Sequence, residues 1–496
     1  MNEEPKALRI TLGLILTALS ALSFTLAFPP FDLWPLIWVG LVPMVVAQHR
    51  VLPARLSGLA PALGIGGFFA GYFGRMFAGR PWFMRALPFI IALIAGLVGA
   101  RERAFHARTG YRWLVLHGPS VWVGIELIRG VVPVLGTWGF AAYALYEQPW
   151  LIQPVSIVGV YGLSLLILLV NYALALAALA LFDRFWRLED VPPVDASLTR
   201  KWLMGAAVML LAWTGVSQVI FHASRHRPSI RVAAIQPAFR VRTDEGLRRL
   251  SDLTRQAAER GAELIVWHEG ALPFDPQVQP TETLQALAAE TGAYLVIGYA
   301  VETAGGYRNE AVLLTPDGAF LGPFGKDHPV AWSGETSVTR GPYAAYETNL
   351  GTLGMMICYD LDFTDTARRV ARAGAQLIAV PSFDWPAIAD KHYTHLVFRA
   401  VENRVAAIKA DVAFDSAVIG PDGRILARAV TPKGAQEVLV AEVPLGTGDA
   451  PAMWLGDGLG WLALMGTFAF LALDLITARR VRLQSFYHKT RRNGWF

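Results

Sequence analysis

The chain has 496 residues, of which 54% are apolar and only 17% charged, with 16 Trp and 26 Phe. Ordinary soluble domains carry roughly 25% charged residues, so this balance excludes a wholly soluble globular chain. The formal net charge of +5 stands beside apolar runs and no nucleic-acid motif occurs, which excludes nucleic acid and points to lipid headgroups.

From about Leu8 to Phe28 the chain is apolar, too long for a signal-peptide core and without a clear cleavage site, and reads as a retained helix. Further candidate spans lie at about 34–48, 57–79, 86–100, 113–129, 154–182 and 202–221, with another at about 455–477. The runs 34–48 and 86–100 are short for a crossing of roughly 20 residues. The expected organisation is a membrane α-helical bundle of about eight helices built from 1–222 and 454–496, with a soluble domain at 223–453 between them.

Eight spans place both termini on one side. Lys6, Arg9, Arg50, Arg55, the Arg101–Arg112 cluster, Arg184, Arg187, Arg200, Lys201 and the tail residues Arg479, Arg480, Arg482, Lys489, Arg491 and Arg492 fall on that side. The short loops on the other side hold only Arg80 and Arg85. The excess marks the cytoplasmic face and puts 223–453 outside it. Glu126 and Arg129 share a helix face and read as an ion pair between helices or as the border of a lipid entrance. The glycines of Gly136–Phe140 and Gly159–Ser164 are expected to let helices approach closely.

Composition changes at Arg225-His226-Arg227-Pro228. Beyond it, Ile230–Ile235 reads as a strand, 243–260 as an amphipathic helix, 263–267 as a strand, 281–291 as a helix and Tyr294–Tyr299 as a strand. Runs at 311–315 and 319–321 are joined by the turn Pro316-Asp317-Gly318. Strand 352–357 ends at Cys358. Helix 363–373, strand 376–380, helix 391–403 and strand 405–410 follow, and the turn Pro421-Asp422-Gly423 joins a last strand pair. Alternating strands and helices with several hairpins predict a layered α/β sandwich with mixed sheets.

With a single cysteine in the chain, Cys358 is either a small buried hydrophobe or a nucleophile. It stands where a strand hands over to a polar turn, the place where open α/β sheets put their chemistry. Strand 263–267 ends likewise in His268-Glu269-Gly270, and Lys326 lies in the Gly-rich loop 322–328. A thiol needs a base or a positive neighbour to react as thiolate. A carboxylate can take and return that proton, and an ammonium can hold an oxyanion. Glu269, Lys326 and Cys358 together make acyl transfer through a thioester chemically coherent.

These residues resemble the nitrilase (carbon–nitrogen hydrolase) superfamily, with its Glu–Lys–Cys triad on an α-β-β-α sandwich. Trp267–Pro273 is similar to its glutamate motif, Lys326-Asp327-His328 to its lysine motif and Cys358-Tyr359-Asp360 to its nucleophile motif. The membrane segment narrows the likeness. Phe28-Pro29-Pro30-Phe31, Glu126-Leu127-Ile128-Arg129 and Gly159–Ser164 resemble the apolipoprotein N-acyltransferase family, in which eight membrane helices carry an extracytoplasmic nitrilase-like domain.

That resemblance implies an enzyme of the bacterial cytoplasmic (inner) membrane, with its catalytic domain on the periplasmic side. It would move an acyl chain from a phospholipid, typically phosphatidylethanolamine, to the diacylglyceryl-cysteine of an apolipoprotein. It assigns Cys358 as nucleophile, Glu269 as general base and acid and Lys326 as oxyanion stabiliser, with no cofactor and no metal. Tyr359 and Asp360 match the aromatic–acidic pair after the family cysteine, with Asp where Glu is usual. Glu335 matches a mobile-loop glutamate, one residue further from the lysine than in the family.

Departures fall at His328–Glu335, at Ser382-Phe383-Asp384-Trp385-Pro386, at Thr394-His395 and at Val412-Ala413-Phe414, in loops expected to shape the acceptor pocket. His392 and His395, three apart on a helix, read as pocket supports rather than metal ligands, a set with no further cysteine to complete it. The altered loops leave open a relative with another acyl acceptor, a membrane-surface amidase, or a catalytically silent binding protein.

Overall fold

The computed structural model describes residues 6–133, 135–186, 191–223 and 227–492. Arg187, Arg225 and His226 lie outside this set, as do the side chains of Arg482, Lys489, Arg491 and Arg492. Two compact units emerge. One takes the chain up to Leu127, Ser164–Ala212 and the part from Gly458 onward; the other takes Ile128–Leu163 and Trp213–Asp457.

The first unit is helical. Its main elements are α1 (Lys6–Leu26), α2 (Val42–Val46), α3 (Leu59–Phe73), α4 (Trp82–Arg108) and the start of α5 (Leu114–Val131). After α6 (Pro149–Ile152), which belongs to the second unit, α7 (Val155–Phe185) and α8 (Ala196–Ala223) each run through both. Among the described residues six helical stretches are long and apolar enough to cross a membrane: Lys6–Leu26, Ala54–Phe73, Trp82–Arg108, Val155–Phe185, Ala196–Ala223 and Gly458–Val481.

Two expected spans are of a different kind. The run expected at 34–48 is broken by Pro35 and Pro43 into a 3₁₀ turn, α2 and one wider turn. It nevertheless retraces α1 from end to end. Leu33 N–H donates to Leu26 O (2.9 Å), Met44 N–H to Ser20 Oγ (2.8 Å), and Arg9 Nε to Val51 O (3.1 Å). At about 1.5 Å per residue α1 is about 31 Å long, so the return covers a bilayer core's thickness. The other is α5, an 18-residue helix interrupted by Pro119 and carrying Glu126. The protein is thus a multi-pass membrane protein with about eight passes.

The second unit holds β1 (Ser229–Gln236), α9 (Asp244–Glu259), β2 (Leu264–Val266), α10 (Thr281–Thr291), β3 (Tyr294–Thr303), β4 (Gly306–Leu314) and β5 (Phe320–Gly325). These are followed by β6 (Ala345–Thr348), β7 (Gly351–Met355), α11 (Thr364–Arg372), β8 (Leu377–Ser382), α12 (His392–Asn403), β9 (Ala406–Asp411), β10 (Asp415–Ile419), β11 (Ile425–Val430) and β12 (Glu437–Pro444). The short α13 (Ala452–Leu455) precedes α14 (Gly458–Arg492), which returns to the helical unit.

The strands form two six-stranded sheets, ordered β12-β1-β2-β3-β4-β5 and β11-β10-β9-β8-β7-β6. In each the central three strands are parallel and the outer ones antiparallel. Helices α9 and α10 press Leu247, Leu250, Leu253, Leu284 and Leu287 onto Ile265, Trp267 and Ile297. This is the α-β-β-α sandwich of nitrilases, and its parallel strands point their C-terminal ends the same way.

Helix α12 is buried along its whole length. Its outer face is covered by the segment before α7: Tyr143 stacks 4.5 Å from Phe398, and Gln153 Oε1 accepts Arg404 Nη1 at 2.7 Å. The glycines expected to let helices approach one another instead meet the α/β sandwich or break a helix. At Gly136 (φ +54) a Cβ would stand 2.7 Å from the Cβ and backbone oxygen of Asp362. Gly159 (φ +72) breaks the regular helix so that Val160 N–H reaches Glu402 Oε1 at 2.9 Å. Arg129 donates to Trp138 O and lies over Phe140, while Trp122 Nε1 donates to Glu126.

Candidate active site

Each of the three candidate residues follows a strand. Glu269 stands just past β2, Lys326 directly after β5, and Cys358 just past β7. The neighbouring ladder fixes them: Trp267 N–H donates to Val296 O, Glu269 N–H to Ser382 O, Lys326 N–H to Asn309 O and Met356 N–H to Ala379 O. Lys326 thus lies at a strand end, as do Glu269 and Cys358.

The ammonium of Lys326, 1% exposed, is the hub. Its Nζ lies 2.8 Å from Glu269 Oε1 and 3.0 Å from Glu335 Oε2. Asn309 on β4, unremarkable in the sequence, donates through Nδ2 to Glu269 Oε1 (2.6 Å) and Glu335 Oε1 (2.8 Å). Val330 N–H adds a bond to Glu335 Oε2 at 2.7 Å. Burial opposes the Lys326 charge, but Glu269, Cys358 and Glu335 outweigh it and hold the ammonium protonated far above the usual lysine range. Burial also opposes the Glu335 carboxylate, yet Lys326, Val330 N–H and Asn309 keep it below its ordinary range.

Cys358 is buried and sits at φ +45. A non-glycine residue in the left-handed region carries strain, which accumulates where a fold must present one side chain. Burial and Glu269 push the thiol well above the usual cysteine range, and Lys326 pulls the other way. The sulfur itself faces Phe383 O at 3.9 Å and Asp384 Oδ1 at 3.7 Å.

The two residues after the cysteine serve the turn rather than the cation. Asp360 accepts Ile357 N–H at 2.9 Å and His328 N–H at 2.7 Å, tying the cysteine turn to the lysine loop. Burial raises its carboxyl to about 7, against His328 and the two backbone donors. Tyr359 packs edge-on against Phe363 at 5.2 Å, and His328 stacks on the same ring at 3.9 Å.

Behind the sulfur lies a buried polar network that the sequence left unread as such. His392 Nδ1 meets Asp384 at 2.8 Å, His395 Nδ1 meets Asp362 at 2.7 Å, and Lys409 Nζ lies between Asp384 (2.8 Å) and Asp415 (3.1 Å). Trp138 Nε1 donates to Asp362 Oδ2 at 2.5 Å. The histidines differ. Burial leaves His395 near 4, whereas Asp384 and Asp362 overcome it and lift His392 to about 10. Both act as supports of carboxylates.

Among the described residues two sets of three donor atoms lie within 4.8 Å of one another: Cys358, Asp384 and His392, and Asp327, His328 and Asp365. In the first, Asp384 already holds Lys409; in the second, Asp327 holds Tyr343 and Thr366 and Asp365 holds Arg369. Side-chain cations and hydroxyls thus already bond to carboxylates of both sets.

The constellation is a buried carboxylate, ammonium and thiol, suited to covalent acyl chemistry. Known proteins carry the same two parts. Residues 231–450 match the carbon-nitrogen hydrolase family, and residues 20–173 match the apolipoprotein N-acyltransferase N-terminal domain. Among individual relatives, the chain is 29% identical to the apolipoprotein N-acyltransferase of Geobacter metallireducens, over 96% of each chain. It is 25% identical to that of Gloeobacter violaceus, over 85% of this chain and 87% of the relative. The omega-amidase NIT2 of Homo sapiens matches 43% of this chain, over 87% of its own length, at 28% identity. The likeness to the amidase stops at the sandwich, while the likeness to the apolipoprotein N-acyltransferases runs through the membrane helices as well: the chain is an acyltransferase that resembles them along nearly its whole length.

Proposed function

We propose that this acyltransferase takes an acyl chain from a phospholipid, phosphatidylethanolamine in the first instance, onto Cys358, and passes it to the free α-amino group of a lipoprotein's N-terminal diacylglyceryl-cysteine. The single observation that carries the mechanism is the Lys326 ammonium held against Glu269 at 2.8 Å inside a buried site whose other reactive group is the Cys358 thiol.

Glu269 takes the thiol proton as Sγ attacks the donor's ester carbonyl carbon. The carbonyl oxygen becomes an oxyanion that Lys326 stabilises. Collapse of the intermediate breaks the bond to the glycerol oxygen, which leaves as a lysophospholipid with the proton that Glu269 returns. In the second half the acceptor amine attacks the thioester, Glu269 takes its proton, and the thiol is regenerated as the amide forms. Glu335 and Asn309 keep Lys326 and Glu269 in register throughout.

The lipid substrates call for a bilayer, and the chain is suited to one. Arg9 bonds to the backbone of residues 50–51, Arg50 to Asp183, and Arg101 and Arg108 to Asp474. This gathering of basic residues at one end of the helical unit supports a cytoplasmic end there. Counting passes from Lys6, the segment 223–453 then lies outside the cytoplasm, on the periplasmic side of the inner membrane.

Mass spectrometry of protein incubated with phospholipid tests the reading. An alkali-labile acyl adduct on Cys358, lost in Cys358→Ala and discharged by a diacylated lipopeptide, is the expected result. Discharge by water or other amines as fast as by the lipopeptide would assign a different acceptor. No adduct at all would reject the thioester route.

A further inference from the structure

The mechanism above employs one carboxylate as base, yet a second carboxylate touches the sulfur. Asp384 follows β8, is 1% exposed, and presents Oδ1 to Cys358 Sγ at 3.7 Å. Four groups hold it in place, one of them Ser382, whose Oγ donates to Oδ1 (3.4 Å). His392 Nδ1 reaches both of its oxygens (2.9 and 2.8 Å), Lys409 Nζ donates to Oδ2 (2.8 Å), and its own N–H is taken by Asp411 Oδ2 (2.7 Å). Burying a carboxylate with two cations costs desolvation that an apolar core would avoid, so stability alone gives no reason for the arrangement. Of the three candidate residues it contacts the thiol.

We propose that Asp384 is a positioning residue of the active site: it accepts the Cys358 S–H hydrogen bond, holds the sulfur on the β8 side, and disfavours the thiolate until an acyl donor draws the sulfur toward Glu269. The proposal rests on Cys358 being the acylated residue. The thiol's reactivity, however, can be read without any lipid.

Charges face the sulfur from every neighbouring element: Glu269 after β2, Lys326 after β5 with Glu335 beside it, and Asp384 after β8. His392 of α12 and Lys409 of β9 act through Asp384. Glu269 and Asp384 oppose the thiolate while Lys326 favours it. A resting thiol is a poor nucleophile toward adventitious electrophiles and oxidants, which matters for a chain with a single cysteine.

The test is the rate of iodoacetamide alkylation of Cys358 against pH in the full-length protein in detergent. Wild type is expected to titrate above the ~8.5 of a free thiol. Asp384→Asn should move the profile down by about one pH unit, roughly a tenfold faster reaction near neutrality. Asp384→Glu should stay near wild type, and Lys409→Met and His392→Gln should move the profile upward. A structural role for Asp384 would shift all variants in one direction or change the rate equally at every pH. A wild-type midpoint at or below that of a free thiol overturns the proposal even if no variant folds, as does an unchanged or raised midpoint in Asp384→Asn. An unchanged profile with an intact acyl adduct rejects only this inference; a missing adduct with the expected shifts rejects only the proposed function.

Discussion

The side-chain amide of Asn309 donates to Glu269 Oε1 at 2.6 Å, and the same nitrogen reaches Glu335 at 2.8 Å. Two carboxylates that share one ammonium are therefore bridged by a neutral donor that adds no charge. Removing it leaves both carboxylates to compete for Lys326. Hydrogen bonds to charged groups are worth about 1.5–3 kcal/mol each, so Asn309→Ala should slow acyl-enzyme formation by roughly ten- to several-hundred-fold. Asn309→Asp, isosteric but with a third negative charge possible, should slow it at least as much. Single-turnover formation of the Cys358 adduct, followed by intact mass, measures this. A rate within twofold of wild type in both variants would remove Asn309 from the machinery.

Asp360 invites a separate test because its two bonds reach two different loops, Ile357 N–H and His328 N–H. Asp360→Ala frees the lysine loop from the cysteine turn, and Asp360→Asn keeps one acceptor oxygen. The expected order of adduct formation is wild type, then Asn, then Ala, with the last slowed by about tenfold to a hundredfold on the same hydrogen-bond scale. Limited proteolysis should show earlier cleavage between Lys326 and Glu335 in the alanine variant. Equal rates in all three would confine Asp360 to folding.

Glu269 and Cys358 were legible as candidates because each ends an apolar strand in a polar turn, and a strand end marks one edge of a sheet without any knowledge of the partner strands; Lys326 read only as part of a Gly-rich loop, and its place directly after β5 comes from the fold. Helix 281–291 and the strands around it were legible for the same local reason. Asn309 was not, since in Tyr307-Arg308-Asn309-Glu310 it looks like any polar residue of a half-exposed strand, and its role depends on residues 26 and 40 positions away. The Asp384 network escaped because its members come from β8, α12, β9 and β10, which only the folded sheet brings together. Residues 128–163 read as membrane segment and loop. What joins them to the catalytic fold is the wholly buried α12, whose Arg and Glu side chains read as a solvent-facing side of the helix and gave no sign that this side is covered. The return at 33–52 was short by hydropathy because Pro35 and Pro43 replace one helix by successive turns. The brief β6 fell below the length at which alternation can be seen.

The close approach of Gly136 to Asp362 makes another local prediction. A Cβ there would meet the Asp362 Cβ and backbone oxygen at 2.7 Å, on a backbone at φ +54 that disfavours side chains. Thr137 N–H and Oγ1 both bond to Asp362 O, at 2.9 and 3.0 Å. Gly136→Val should therefore push the loop off the turn that begins at Cys358 and lower both thermal stability and adduct formation. Val carries no charge, so the alkylation profile of the remaining folded protein should keep its midpoint. A variant as stable and active as wild type would show that this approach is dispensable.

The His392–Asp384 pair predicts how stability depends on pH. His392 stands at about 10 in the folded chain, against about 6.5 unfolded. A raised folded value means that its contribution is fully present below about 6.5 and is lost as pH rises from there through about 10. Asp384 is shifted the other way, below its ordinary range: burial opposes its charge, but His392 and Lys409 outweigh it. Its share is present above about 3.9 and is lost only as acid titrates the folded carboxylate. Between these limits the pair is intact. His392→Gln leaves Asp384 with Lys409 alone, and breaking a buried pair costs about 3–5 kcal/mol. The gap in unfolding temperature between wild type and His392→Gln should be widest from about pH 4.5 to 6.5 and close progressively toward pH 10. Differential scanning calorimetry of both proteins across that range decides it. A gap that stays constant with pH would mean that His392 is neutral in the folded protein and supports Asp384 only by shape.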